Sequence, residues 1–158
     1  MDILDEELLA LWKSFEKHQV RYIMVGGFAT NLHGFSRTTD DCDIWISDSI
    51  ENRKKLRTAL EEVEELNFEM IETMDFAPGW STINLFSGIA IDIMTYLKGF
   101  PQQSFEKSFE NASIAEIYQL KIRFLHINEL IEAKRLAARP KDLIDIQALE
   151  NIKKQREE

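Results

Sequence analysis

The chain has 158 residues, 44% hydrophobic and 30% charged, a length that fits one domain burying roughly 70% of its unfolded surface. Its formal net charge of −9 disfavours general electrostatic attachment to nucleic acid or to an anionic membrane. A lone cysteine, Cys42, excludes an internal disulfide, no apolar run approaches the ~20 residues of a membrane span, and the acidic start MDILDEELL lacks a basic leader, so a cytoplasmic protein is expected.

The first predicted element is an amphipathic helix over residues 3 to 18, with Ile3, Leu4, Leu8, Leu11, Trp12 and Phe15 at helical spacing. RYIMV, Arg21 to Val25, is a short β-rich run that stops at Gly26 and Gly27. Phe28 to His33 reads as a turn or two of helix and Cys42 to Ser47 as a second strand. Ser49 is positioned to cap a charged helix reaching about Leu66. From Phe68 to Tyr96 the pattern is strand-like, with DFAPGW as a turn and Ser87–Gly88 as a hairpin signal. Residues 98 to 116 have no clear period, and Gln119 to Ile127 alternates as a strand. Asn128 then caps a helix to about Arg139, Pro140 breaks it, and a last helix runs from Lys141 to about Lys154, leaving KKQREE frayed. The expected fold is α+β: a mixed sheet flanked by helices, with a core of about 18–97 and a C-terminal strand and helices over about 105–154.

The sharpest chemical signal is the acid pattern Asp40, Asp41, Asp43 at the mouth of a strand. Alternate strand residues share a face, so Asp41 and Asp43 point together, about 6.5–7 Å apart at Cα, while Cys42, Ile44 and Ile46 point to the core. Taken alone, such a pair reads as an exposed loop. Asp92 changes the weighting, because it sits inside the apolar run GIAIDIMTY. An unpaired carboxylate there would cost several kcal/mol, so it needs a salt-bridge partner or a polar cleft.

If Asp41, Asp43 and Asp92 converge at about 5 Å, each of three pairs repels by about 3 kcal/mol, a total of about 10 kcal/mol, comparable with the stability of a whole domain. Such a cluster takes up protons or holds divalent cations. Carboxylate oxygens suit Mg2+ (or Mn2+) with substrate phosphates as further ligands, which points to phosphoryl or nucleotidyl transfer. Strand, Gly26–Gly27, helix supplies a place where backbone N–H groups approach an anion. It is neither a dinucleotide-binding fingerprint nor a P-loop.

These features together, in VGGFATNLHGFSRTTDDCDIW, resemble the polymerase-beta-type nucleotidyltransferase superfamily. The stretch is especially similar to small bacterial members, including abortive-infection toxin-like proteins, in which an Arg-x-Thr-x-Asp-x-Asp pattern recurs. Here that pattern is Arg37, Thr39, Asp41 and Asp43. AKRLAARPKDLIDIQAL is similar to their helical end, with its Lys-Asp-x-x-Asp segment. The resemblance, over about residues 18 to 152, implies a metal-binding pair at Asp41 and Asp43 and a third carboxylate at Asp92 that helps deprotonate an acceptor hydroxyl. It implies a phosphate-cradling turn at Gly26 and Gly27. Gly27 departs from the commoner Gly-Ser version, and Thr30 or a backbone amide is the substitute to look for.

Other residues carry two readings each. Arg37 either holds triphosphate or pairs with the aspartates; Lys134 and Lys141 either reach phosphates or form a solvated basic face. His33 fits a structural histidine better than a base, and Trp45 fits helix packing better than nucleobase stacking. Two basic clusters stand out, Arg53–Lys54–Lys55–Arg57 and Lys134–Arg135–Arg139–Lys141. The expected activity is metal-dependent transfer of a nucleoside monophosphate from a nucleoside triphosphate to a hydroxyl of a protein, tRNA or small molecule, with a cognate antitoxin or a second copy as partner. The competing reading is a non-catalytic module of the same fold acting in a toxin–antitoxin or regulatory pair. A metal phosphodiesterase would require histidines near the aspartates, and His18, His33 and His126 are not.

Overall fold

The computed structural model describes residues 2, 5–39, 41–76, 80–85 and 88–157, with Trp80 described by its backbone alone. Asp40, the DFAPGW turn at residues 77–79, and Ser87 of the hairpin signal lie outside the described residues. The elements in chain order are α1 (Glu6–Lys17), β1 (Tyr22–Val25), α2 (Gly26–His33), β2 (Cys42–Ile46), α3 (Ile50–Glu64), α4 (Met70–Thr73), β3 (Trp80–Asn84), β4 (Ala90–Met94), a 3-10 turn (Gln102–Ser104), α5 (Phe105–Asn111), β5 (Ser113–Ile117), β6 (Leu120–Phe124), α6 (Ile127–Ala137) and α7 (Pro140–Glu157).

The strands form one six-stranded sheet in the order β3-β4-β2-β1-β6-β5. It is mixed: β1 pairs β2 antiparallel and β6 parallel, and β2 pairs β4 parallel. The edge pairs β3–β4 and β5–β6 are antiparallel. The parity of β2 holds, with Cys42, Ile44 and Ile46 fully buried. Its other face is buried too at Trp45, which meets Phe105 of α5 edge-on at 5.2 Å and donates its indole N–H to the Thr95 carbonyl at 2.9 Å. Trp45 is thus held by packing. Trp12 of α1 stacks on Tyr22 at 5.8 Å, and α1 packs along α3.

Local chemistry sets the boundaries. Asp5 accepts from the Glu7 N–H and Ser49 from the Asn52 N–H, each capping a helix start. Four expectations need correction. Phe68 and Ile71 are three apart and both buried, a helical rather than a strand spacing, and α4 forms there. The cap of α6 is His126, whose side chain accepts from the Asn128 N–H, because the imidazole reaches the first turn before Asn128 enters the helix. Pro140 opens α7 rather than only ending α6, since its missing N–H lacks a partner in a first turn anyway. The tail is helical through Glu157. Ile152 lies against Gly34, and Arg156 donates to the His33 carbonyl at 2.9 Å, which anchors those last turns on α2.

Candidate active site

The antiparallel register of β1 and β2 sets Asp43 opposite Val25, at the end of β1 where the glycine turn starts. Parallel pairing of β2 with β4 then sets Asp92 opposite Asp43, and register partners share a face. The two carboxyls share a hydrogen bond. Thr82, opposite Asp92 on β3, donates its hydroxyl to Asp92 Oδ1 at 2.5 Å. Asp41, one residue ahead of β2, is exposed at the same mouth. Burial, then the charge of Asp92, then the shared hydrogen bond push the Asp43 carboxyl up to about 7, with Asp41 adding to the shift and Lys141 opposing it.

Gly26 has φ +64°, and a Cβ there would collide with Asp43 Oδ2. At Gly27 a Cβ would collide with the Thr39 hydroxyl. Both glycines are therefore dictated by close approach, and the second explains the missing serine: Thr39 fills the space that a serine side chain would need. Thr39 Oγ1 donates to the Asp41 carbonyl at 3.1 Å and lines the cleft. Thr30 does not take that place. It is fully buried, and its hydroxyl donates back to the Gly26 carbonyl at 3.1 Å within α2.

Opposite the acids stands a cationic wall held by α7. Arg37 pairs with none of the strand aspartates; its Nε and Nη2 donate to the two oxygens of Asp145 at 2.7 and 2.8 Å. Lys134 of α6 donates to Asp145 Oδ2 at 2.8 Å and lies 3.8 Å from Asp142 Oδ1. Arg139 donates through Nε to Asp142 Oδ2 at 2.8 Å. Asp142 and Asp145 are both fully buried. Burial alone would raise their carboxyls, but hydrogen bonds from Arg139 to Asp142, and from Arg37 and Lys134 to Asp145, hold both below the usual carboxylate range. Three cations against two acids leave a positive surplus, and Lys141, exposed at the mouth with no ion pair among the described residues, adds to it.

A cleft of about 610 Å³ separates the two walls and touches Asp41, Asp43, Asp92, Arg37, Lys134 and Lys141. A recess of about 220 Å³ opens off it at Gly26 and Asp43, walled by Met94, Leu97, Leu130 and Ala133. His33 stays outside: its Nε2 donates to the Leu125 carbonyl at 2.7 Å, and burial, with Arg156 nearby, holds the ring below its ordinary value. Thr39, Thr82, Asp142, Asp145 and Arg139 had no assigned place in the site. Asp142 and Asp145, three apart and so on one helix face, are the signal that was available for the last three.

Among the described residues no group of three His, Cys, Asp or Glu side chains is drawn together tightly enough to hold a metal as it stands. The donor set nevertheless suits a hard cation: Asp43 and Asp92 are register partners on one face, and Asp41 is on the same cleft. No helix of the described residues is long and apolar enough to cross a membrane.

A mixed sheet whose glycine turn faces paired strand aspartates defines a nucleotidyltransferase fold. The chain belongs to the family described as nucleotidyltransferase of unknown function (DUF6036), whose profile matches residues 1–155. Among solved structures it is similar to the lincosamide antibiotic adenylyltransferase LnuA with lincomycin bound, at 18% identity and a TM-score of 0.63 over 96% of this chain and 99% of that one. It is also similar to an antigenic nucleotidyltransferase-like protein from Paracoccidioides brasiliensis, at 17% identity and a TM-score of 0.55 over 90% and 72% of the respective chains. No curated protein matches the sequence.

Proposed function

We propose that the protein transfers a nucleoside monophosphate from a nucleoside triphosphate to a hydroxyl acceptor, as a single catalytic domain with the cleft as its active site. The observation that carries this reading is the register pairing of Asp43 with Asp92 beneath Gly26, across the cleft from the wall formed by Arg37, Lys134, Arg139 and Lys141. Asp41, Asp43 and Asp92 are the residues that would hold Mg2+ or Mn2+, and such an ion neutralises the charge that develops on the transferred phosphate.

The triphosphate lies along the cationic wall, with the backbone of Gly26 and Gly27 and the Thr39 hydroxyl on its near side. Asp92 accepts the acceptor hydroxyl proton, and the hydroxyl of Thr82, bonded to its Oδ1, helps to fix the carboxyl in place. The acceptor oxygen bonds to the α-phosphorus as the bond to the β-phosphate bridging oxygen breaks, and pyrophosphate leaves with that electron pair. The buried Asp142 and Asp145 keep Arg37, Lys134 and Arg139 in place before substrate arrives, so little ordering remains for binding. The acceptor is a protein side chain, a tRNA end or a small molecule. The likeness to an antibiotic adenylyltransferase supports the last, while a toxin-like role would favour the first two.

Labelled nucleoside triphosphates incubated with the protein, Mg2+ and a cell lysate test this directly. Label on one acceptor class, absent with Asp41→Ala, is the expected result. Metal-independent or absent nucleotide binding would instead mark a non-catalytic module.

A further inference from the structure

Most residues of the two basic clusters that stand out in the sequence are engaged in ion pairs in the fold, and the second cluster belongs to the catalytic cleft. Arg53 pairs with Asp48, Arg57 with Glu61 and Glu72, and Lys55 with Glu51; Lys134 and Arg139 are taken by Asp142 and Asp145. A different basic concavity forms instead from positions far apart in the chain. Arg21, Lys55, Lys121 and Arg123 line a cavity of about 420 Å³, with Phe109 in its wall and Glu16 at its rim. It sits at the start of β1, the end of that strand opposite the glycine turn, and so lies apart from the catalytic cleft.

The four cations differ in how they are held. Arg21 is paired with Glu106, and Lys55 with the exposed Glu51. Among the described residues neither Lys121 nor Arg123 makes an ion pair. Lys121 and Arg123 are alternate residues of β6, so their side chains leave the same face about 7 Å apart at Cα. The Arg123 guanidinium lies 4.3 Å from the Phe109 ring centroid and donates to the Phe109 carbonyl at 3.3 Å; Arg21 lies over the same ring at 4.2 Å. Both guanidiniums stack on one ring and so are held before any ligand arrives, and Arg123 has no counter-ion among the described residues, in a chain whose net charge is −9. An oxyanion beside Arg123 and Lys121 supplies the missing counter-charge at little ordering cost, and planar guanidinium forks match phosphate oxygens.

We propose that this concavity is a second anion site, which takes phosphate groups away from the catalytic cleft through Lys121 and Arg123 with Arg21 behind them. The phosphate comes either from a nucleic-acid backbone or from a free polyphosphate. The site is independent of the nucleotidyl-transfer reading and holds or fails without it.

The test is binding of two probes to the full-length protein, inorganic tripolyphosphate and a fluorescent single-stranded RNA oligonucleotide, each without divalent metal and over a salt series. Lys121→Glu is the primary variant, because the side chain is exposed and makes no ion pair among the described residues. Circular dichroism, together with the Lys121→Ala/Arg123→Ala variant that adds no acid beside Glu16 and Glu116, checks that a loss of binding is not a loss of fold. The expected results are about a tenfold loss of affinity in Lys121→Glu, a larger loss in the Lys121→Ala/Arg123→Ala double variant, and a salt slope shallower by about one per lost contact. RNA bound more tightly than tripolyphosphate at equal phosphate concentration assigns the source to a nucleic-acid backbone, and the reverse to a free polyphosphate. Binding unchanged in Lys121→Glu but lost in Lys141→Ala overturns the proposal, since the probes then occupy the catalytic cleft. So does binding of a poly-glutamate peptide as tight as that of either probe.

Discussion

Asp43 and Asp92 face each other from parallel neighbouring strands and share a hydrogen bond although both are acids. The fold tolerates this repulsion at the one place where a cation and a triphosphate would remove it. Asp43→Asn keeps the size and the hydrogen bond and deletes the charge. In metal-free buffer at pH 8 it should raise Tm by at least about 2 °C, and it should lower nucleotidyl transfer roughly 100-fold or more. Thermal scans and turnover measured on one preparation check both; a variant that is less stable contradicts the repulsion.

The same pair makes stability depend on pH in an unusual direction. Asp43 is raised to about 7, so between its ordinary value near 3.8 and about 7 the folded state holds a proton that the unfolded chain has released. Stability from this group is therefore complete below that window and declines as pH rises through it. Metal-free Tm should fall across the window. Added Mg2+ should raise Tm more at pH 8 than at pH 5, and Asp43→Asn should abolish that difference.

Asp145 of α7 holds both Lys134 of α6 and Arg37 of the loop between α2 and β2. Its carboxyl is held low, so its contribution is present above the ordinary carboxylate range and lost as pH falls through the depressed folded value. Asp145→Asn leaves two cations short of a buried counter-charge and should lower Tm by about 10 °C at pH 7. It should also raise KM for the nucleoside triphosphate more than it lowers kcat. An unchanged KM would separate the ion network from nucleotide binding.

Gly26→Ala places a methyl group on Asp43 Oδ2 and forces a left-handed backbone on alanine, a cost of about 1–2 kcal/mol. Circular dichroism should show the fold retained while kcat falls by roughly two orders of magnitude, because small displacements of reacting groups are enough. Gly27→Ser should lower activity as well, since Thr39 already fills that space.

The acids and the glycine turn were legible because their signals are local: alternation along β2, a carboxylate inside an apolar run, and two glycines between a strand and a helix. The counter-ion of Arg37 was not, because Asp145 lies 108 residues away and only the packing of α7 beside α2 brings them together. Thr30 looked eligible by its position in α2, yet helix geometry turns its hydroxyl onto the Gly26 carbonyl. The run from Phe68 to Thr73 is too short for periodicity to separate strand from helix. The polar tail KKQREE gives no sign that the chain just before it, at Ile152, and Arg156 within it dock on Gly34 and His33.

Strand β1 finds its parallel neighbour β6 100 residues further on, Met24 against Phe124, and α7 comes later still. A ribosome adding about 5–20 residues per second exposes the glycine turn and Asp41, Asp43 and Asp92 several seconds before the charges that complete the cleft emerge. If the cationic wall is needed for nucleotide binding, a nascent chain that lacks it holds the acids without the charges that would draw a triphosphate to them. On the proposed reading, the cleft is complete only once the segment that carries Lys134, Arg139, Lys141, Asp142 and Asp145 has emerged and packed against the sheet.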